Sequence, residues 1–215
     1  MAENKQMEAL PRIGCDMLHF AVLKSDTAEG ATYDTAVHLA NVKSVGFNPG
    51  SSVSTFYADD GPRVNFAQIG DQTVTVDRAD LLPEEYALIT GASYTKGLVR
   101  VGNPTPPAGA VMWRSQKSNG KYRYLRLLKT TFGVPQIDSK TKESSVDFQT
   151  QSIEGRNALR VYDSMGFDFI DEDDPKLDTS ITKEVLDKEW FADPNFDPTK
   201  AYVANQAAVK PTVTK

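Results

Sequence analysis

Over most of its length this chain alternates hydrophobic and polar positions with the two-residue period of β-strands. In Gln72–Asp77 the polar residues Thr73, Thr75 and Asp77 alternate with two valines, which predicts a strand with one wet face. Shorter apolar runs between turn-forming residues are typical of buried strands. Met17–Leu23 is such a run. Further strands are predicted at Val37–Phe47, which alternates, and at Val53–Tyr57, Val64–Ile69 and Val161–Ile170. The pattern therefore predicts a mainly β fold.

Turn-forming residues divide the predicted strands. Lys24–Thr35 is predicted as a connecting turn, and Asn48-Pro49-Gly50 and Ala58–Pro62 break the chain again. The clearest hairpin signal is Asn119-Gly120, a pair that favours a type I′ turn because both central residues of that turn need positive φ. The strands that flank this turn, and the antiparallel pair predicted next, are Ala110–Ser118 with Lys121–Thr131 and Thr130–Pro135 with Ser144–Ile153.

One helix is predicted in the first half of the chain, at Pro83–Thr90. Proline suits the first helical position, Glu84 and Glu85 complement the positive end of the helix dipole, and Gly91 marks the stop. The helix should lie across a sheet through one face. The residues predicted for that face are Leu82, Tyr86 and Ile89.

The chain is predicted to have three parts. Residues 1–12 are polar and indicate a loose arm, and residues 13–170 carry the predicted strands of one β domain. From about Asp171 the sequence becomes acidic and is interrupted by Asp-Pro and Lys-Pro pairs. Residues 171–215 hold too few apolar groups for an independent core, so they are predicted as a C-terminal extension that becomes ordered only by docking on other subunits.

Charge is segregated along the chain, although the net charge of the 215 residues is only −5. Eight basic residues and no acidic one lie between Lys96 and Lys129, whereas twelve acidic residues and three lysines lie between Asp163 and Asp197. Three interpretations stay open. The two segments neutralise each other within the fold, or they join copies of the protein, or the basic segment grips nucleic acid. The acidic balance excludes a protein whose whole surface coats nucleic acid.

The residues that usually carry catalysis are scarce. The chain has one cysteine, Cys15, and two histidines, His19 and His38, and it has no phosphate-binding loop, dinucleotide fingerprint, nucleophile elbow or zinc-protease motif. The acidic run Asp171–Asp174 lacks the spaced ligands and glycine of a calcium loop. We therefore expect no enzymatic activity, no cofactor and no metal. No apolar run has the length of a signal peptide or a membrane helix, so we expect synthesis in the cytoplasm and no membrane insertion.

Four segments, in this order, carry a resemblance to a known family. They are Leu18–Ala21 after the short polar arm, Tyr57–Pro62, Lys117–Tyr124, and Lys140–Glu143 followed by Asp147–Thr150. Together they resemble the major tail protein of long, non-contractile-tailed bacteriophages and prophages of Gram-positive hosts. The resemblance covers residues 13–170 and leaves the C-terminal extension without a counterpart.

The resemblance implies a tail-tube fold, in which two antiparallel sheets pack together beside one short helix. Six subunits would form a ring, and rings would stack into the tube of the virion through which double-stranded DNA passes without specific binding. The expected partners are further copies of the chain and the tail terminator, distal tail and tape-measure proteins. Two alternatives remain: a terminator or connector protein of the same fold, and a β-sandwich that decorates the virion surface or mediates adhesion.

Specific residues follow from this expectation. The inner wall of the tube should be neutral to acidic, because each phosphate that Lys or Arg neutralises adds affinity for DNA. Its predicted residues are Ser44, Ser52, Ser54, Thr73, Thr75, Asp77, Ser145, Asp147, Gln149 and Gln151. The loop predicted to contact the neighbouring ring comprises Asn48, Pro49, Gly50, Asp59, Asp60, Gly61 and Pro62. Contacts between subunits are predicted for Arg114, Lys117, Lys121, Arg123, Asp171, Asp173, Asp174, Trp190, Phe191 and Phe196, with Tyr202 as a further anchor.

Overall fold

A computed structural model describes residues 8–137, 139, 141 and 150–200. The chain is mainly β and antiparallel, which confirms the predicted fold class. The strands are β1 (Arg12–Thr27), β2 (Gly30–Tyr33), β3 (Val37–His38), β4 (Val42–Asn48), β5 (Ser51–Ala58), β6 (Gly61–Ile69), β7 (Gln72–Arg78), β8 (Ser93–Thr95), β9 (Leu98–Arg100), β10 (Ala108–Lys117), β11 (Tyr122–Phe132), β12 (Gln151–Asn157) and β13 (Phe167–Asp171). The helices are α1 (Pro83–Thr90) and α2 (Lys183–Val185), which runs into a π-helical turn at Leu186–Trp190.

The main sheet has the order β2-β1-β10-β11-β12-β7-β4, and the long strand β11 divides it into two layers. The first half of β11 pairs with β13, and its last residues pair with β12. We call β2, β1, β10, the first half of β11 and β13 layer A, and β12, β7 and β4 layer B. A single core lies between the layers. Its buried residues include Leu18, Phe20, Val111, Trp113 and Leu127 from layer A and Val74, Val76 and Ile153 from layer B.

Gly155 lets β12 lie close against the end of β11. A Cβ at this position would lie 2.8 Å from the Phe132 ring and 3.0 Å from the Thr131 carbonyl oxygen. Residue 155 of β12 pairs with Phe132 of β11, at the point where the sheet passes from one layer to the other. Any side chain at this position would force β12 away from β11.

Helix α1 has the predicted bounds. Pro83 is its first residue, and Gly91 ends it in the left-handed conformation at φ 72°. Ile89 is fully buried in the core, as predicted, but Leu82 is 65 % exposed, so its place on the packed face was wrong. Glu85 fixes the helix instead, because it accepts the Leu82 backbone N–H at 2.9 Å and pairs with the buried Arg78 of β7 at 2.8 Å.

The C-terminal segment forms a third layer on the outer face of layer A. Leu186, Trp190 and Phe191 are buried in a second cluster with Met112 and Tyr124. The indole Nε1 of Trp190 donates to the Leu125 carbonyl at 3.4 Å. Residues 171–200 therefore pack on their own chain, which corrects the expectation that the extension needs other subunits to dock. Tyr202 lies outside the described residues.

Several strand boundaries differ from the predicted ones. The supposed turn Lys24–Thr35 is largely a hairpin, in which Ser25 Oγ and Thr32 Oγ1 form a hydrogen bond across β1 and β2 at 2.7 Å. Val37–Phe47 is two strands, separated where Asn41 takes a positive φ of 60°. Val161–Ile170 becomes a strand only at Phe167.

The Asn119-Gly120 hairpin exists, but its turn is not type I′. Of the two residues, only Gly120 has a positive φ, at 80°. The Lys117 N–H donates to the Lys121 carbonyl at 2.7 Å, and the Gly120 N–H donates to the Lys117 carbonyl at 3.0 Å. This geometry is a three-residue loop with glycine in the left-handed position, the next most common hairpin connection.

Candidate assembly surfaces

Layer B presents a polar face opposite the core. Strand pairing places Ser44 of β4 and Ser152 of β12 on either side of Asp77 of β7. Ser44 Oγ donates to Asp77 Oδ2 at 2.7 Å. Hydrogen bonds from Ser44 and Ser152 hold the pKa of Asp77 below its usual range, so this carboxylate stays charged in neutral solution.

Two further rows continue this face. The second consists of Gly46, Thr75 and Glu154, and the third of Asn48, Thr73 and Arg156. The polar face is defined by the nine residues of these three rows. It carries two carboxylates and one guanidinium, and most of its other side chains are short hydroxyls.

The predicted wall residues fall into several groups. Ser44, Thr73, Thr75 and Asp77 meet on the polar face, as their alternation suggested. Gln151 does not, because it pairs with the buried Arg78 and donates to the Gln136 carbonyl at 2.5 Å. The β12 residues on the polar face are Ser152, Glu154 and Arg156, which are out of register with Gln151 by one residue. Alternation with Ile153 and Gly155 was the signal that could have found them.

The remaining predicted wall residues lie elsewhere. Ser52 and Ser54 belong to β5, which pairs with β6 in a separate two-stranded sheet. They are exposed, but they are not part of the polar face. The other three lie outside the described residues: Ser145, Asp147 and Gln149.

β5 and β6 form a hairpin that continues the ribbon of β4 and β7 beyond the body. The ribbon breaks at Gly50, whose φ is 62° and where a Cβ would lie 2.3 Å from the Asp71 carbonyl oxygen. The Gly70 N–H donates to the Gly50 carbonyl at 3.0 Å and ties the two chains together at this junction. The eight residues of β5 span about 27 Å at the usual strand rise.

Both faces of this hairpin are exposed and apolar. Phe56 is paired with Val64, and Phe66 follows on the same face; these side chains are 58–65 % exposed. Val53 and Ile69, on the other face, are exposed to a similar degree. A two-stranded ribbon is marginally stable alone in water, and one with this much exposed apolar surface is typical of a contact site.

The residues predicted for ring contacts occupy the two ends of the hairpin. Asn48, Pro49 and Gly50 lie at its base, where Asn48 Oδ1 accepts the Gly50 N–H at 2.9 Å. Asp59, Asp60, Gly61 and Pro62 lie at its tip. Asp59 and Asp60 both have positive φ, 48° and 59°, so the type I′ turn is found here.

The segregated charges meet within the chain. Lys117 is almost fully buried and pairs with Asp171 at 2.9 Å and with Asp173 at 2.5 Å. Arg123 makes two hydrogen bonds to Asp171, at 2.6 and 2.7 Å. Lys121 pairs with Glu172 at 2.9 Å. Of the three interpretations, the structure supports neutralisation within the fold.

A second ionic cluster anchors the C-terminal layer. Arg114 pairs with Asp16 at 2.7 Å and also with Asp187, which accepts hydrogen bonds from Tyr124 and Lys183. Burial alone would raise the pKa of Asp187, but these three donors hold it below its usual range. Burial alone would also raise the pKa of Asp171, but hydrogen bonds from Arg123 and Lys117 hold it below its usual range.

These contacts correct most of the predicted subunit contacts. Lys117, Asp171, Trp190 and Phe191 are buried in their own chain and are not accessible to a neighbour. The others are engaged within the chain to varying degrees: Arg114, Lys121, Arg123 and Asp173 in the ion pairs above, Asp174 as acceptor of the Lys176 N–H, and Phe196 packed against the second cluster.

The two histidines form a ring stack. The centroid of His19 lies 4.8 Å from that of His38 and 4.7 Å from that of Phe191. Burial lowers the pKa of His19, and the neighbouring His38 lowers it further, against the hydrogen bond with the Met17 carbonyl. Cys15 lies elsewhere on β1, where Sγ approaches the Lys43 carbonyl at 3.8 Å. The three residues therefore do not assemble into one site.

Within the described ranges, no group of three or more His, Cys, Asp or Glu residues is arranged to hold a metal ion. In the same part of the chain, no helix has the length and apolar character needed to cross a membrane. Comparison with models of known protein families finds no match to this chain, and comparison with curated proteins finds none either.

Proposed function

We propose that this chain is a tail-tube protein, which assembles into rings that stack around a channel for DNA. The β5–β6 hairpin is the observation that carries the proposal. It is a long apolar ribbon that no other described element covers, and it extends directly from a sheet whose outer face is polar. A surface of this kind needs a partner, and further copies of the chain supply one.

The open edges of the ribbon favour self-assembly. β4 is the last strand of the main sheet, so the part of its outer edge that Cys15 of β1 does not contact offers backbone N–H and C=O groups for pairing. The hairpin that follows it presents apolar side chains beside the same edge. Different surfaces of each copy would then be in contact, and such heterologous contacts give a ring when the rotation closes.

The polar face suits the wall of a channel. Its members are mainly short or flexible polar side chains, and Asp77 and Glu154 outnumber Arg156 by one negative charge in each subunit. DNA is held when lysine and arginine displace its counterions, so a wall of this charge lets the duplex slide. The tail terminator, distal tail and tape-measure proteins are the further partners of such a tube.

The two alternatives are weaker. A decorating or adhesive β-sandwich would have a polar surface outside its binding sites. The β5–β6 hairpin instead exposes apolar side chains on both faces. A terminator or connector protein has the same architecture but stops at one ring, so the length of the assembly separates it from a tube protein.

Negative-stain electron microscopy of the purified chain tests the proposal. We expect hollow tubes of stacked rings from the natural sequence. The variant Phe56→Ser/Val64→Ser/Phe66→Ser should leave folded subunits that do not assemble, because the substituted side chains are exposed and outside the core. The matched control is Ser52→Ala/Ser54→Ala on the same ribbon, which should assemble normally. Monomers from the natural chain under all ionic conditions would contradict the proposal, and single rings would support the terminator.

A further inference from the structure

A second exposed apolar surface lies along β13. A groove of about 1020 Å³ opens between this strand and residues 195–200. Trp190 and Arg126 line its floor, where the guanidinium stacks 4.3 Å above the indole ring. Phe169 and Met165 line its rim and are more than half exposed. This volume is at the upper end of the range for binding sites and admits several side chains.

Among the described strands β13 pairs with β11 alone, so its other edge is open to the groove. Leu128 N–H donates to the Gly166 carbonyl and Glu172 N–H donates to the Tyr122 carbonyl, both at 2.9 Å. In an antiparallel pair, residues that exchange hydrogen bonds alternate with residues that point both backbone groups outwards. The amide and carbonyl groups of Phe167 and Phe169 therefore point away from β11, towards the groove.

The charges that line this groove are already neutralised by one another. Arg126 pairs with Asp168 at 2.6 Å, and Lys200 pairs with Asp197 at 3.1 Å. Arg160 pairs with Asp163 in the same way. Burying a further charge here would leave it without a partner, which is costly, whereas an uncharged apolar strand meets no such penalty.

The β5–β6 hairpin supplies uncharged, partly apolar strands that suit this groove. Ser51–Tyr57 and Val64–Ile69 carry no charged residue, and the apolar members alternate with serine, threonine and asparagine. No other described strand pairs with the outer edges of the hairpin, so either strand can add to β13. The hairpin of the same copy leaves the body at Gly50 and is exposed on both faces. The hairpin that fills the groove therefore comes from a second copy.

We infer that the groove along β13 receives the β5–β6 hairpin of a second copy of this chain. One hairpin strand lies beside β13 and extends layer A, and alternate side chains enter the groove between Phe169 and residues 195–200. This inference rests on the proposed function, because it names the surface of the next subunit in an assembly of copies. The contact is heterologous, so a pair of copies still offers one free hairpin and one free groove to further copies.

Cysteine cross-linking between two differently labelled copies tests the inference. Both copies carry Cys15→Ser, and one carries Phe66→Cys in the hairpin while the other carries Met165→Cys in the groove. A short bis-maleimide should join them into dimers under assembly conditions. The matched control replaces Met165→Cys with Leu98→Cys, which is similarly exposed on the β8–β9 hairpin but outside the groove, and it should give at least tenfold less product.

A charged variant gives the second readout. Met165→Glu/Phe169→Glu should fold, because both side chains are exposed, but it should sediment as a monomer where the Leu98→Glu control still assembles. Tubes that form normally from the groove variant, with no cross-link to Met165→Cys, would overturn the inference and leave the proposed function standing. Absence of any assembly from the natural chain would contradict the proposed function as well.

Discussion

Arg78 and Glu85 make a buried ion pair that allows a quantitative test of how α1 is held on layer B. Their side chains are 3 % and 9 % exposed, and Arg78 also donates to the Ala40 carbonyl at 2.6 Å. Arg78→Met would leave the Glu85 carboxylate buried with the Leu82 N–H as its remaining donor. Breaking one partner of such a pair costs about 3–5 kcal/mol, out of a usual total stability of roughly 5–15 kcal/mol.

The double variant Arg78→Met/Glu85→Leu is the matched control. It removes both charges while keeping apolar volume, so we expect it to recover most of the loss and unfold within about 1–2 kcal/mol of the natural chain. It should not recover all of it, because Leu82 loses the carboxylate that accepts its N–H. Urea unfolding followed by tryptophan fluorescence measures the free energy of unfolding of both variants, since Trp113 and Trp190 are buried in the two clusters. Equal losses in the single and double variants would refute the argument.

Other predictions concern pH, packing and the polar face. The pKa of Asp187 is lowered on folding, so its contribution to stability is present above the ordinary aspartate pKa of about 3.9 and is lost as pH falls further; thermal melts of Asp187→Asn should depend less on pH in that window. The pKa of His19 is also lowered, so the unfolded chain binds more protons and stability falls as pH drops below about 6.5; His19→Gln should flatten this slope in the same melts. Gly155→Ala should cost about 1–3 kcal/mol in urea unfolding, because its Cβ overlaps Phe132, whereas Gly30→Ala meets nothing within 4 Å and should cost less. Thr75→Lys should leave the proposed tube assembly intact in electron micrographs but retain DNA in salt-dependent binding assays; unchanged DNA binding would contradict the proposal that Thr75 lies on a channel wall.

Local signals made part of the fold predictable. Pro83 and Gly91 define the helix by backbone preferences that need no tertiary partner. The alternation in β7 persists because one face meets the core and the other meets solvent. The face on which Gln151 lies could not be predicted in this way. β12 begins at Gln151, so too few strand residues precede it to show which positions alternate, and the register depends on its pairing with Arg78.

The ionic and C-terminal contacts could not be predicted from local pattern. Lys117 and Asp171 are separated by more than 50 residues, and the sequence shows two charged segments without showing that they meet. Trp190 and Phe191 lie in a short acidic segment with little core of its own, so their burial depends on the face that Tyr124 presents. The strands and the turn of the β5–β6 hairpin could be predicted from the sequence. That no other described element packs on the hairpin depends on the whole fold and could not.

The position of Trp190 in the chain has a consequence for synthesis. Its hydrogen-bond partner Leu125 precedes it by 65 residues, so the outer face of layer A is covered only after residue 190 has been made. At translation rates of about 5–20 residues per second, this delay is roughly 3–13 s. The β5–β6 hairpin is made well before that moment. A nascent chain therefore carries two uncovered apolar surfaces at once, and chaperone protection is needed most during this interval.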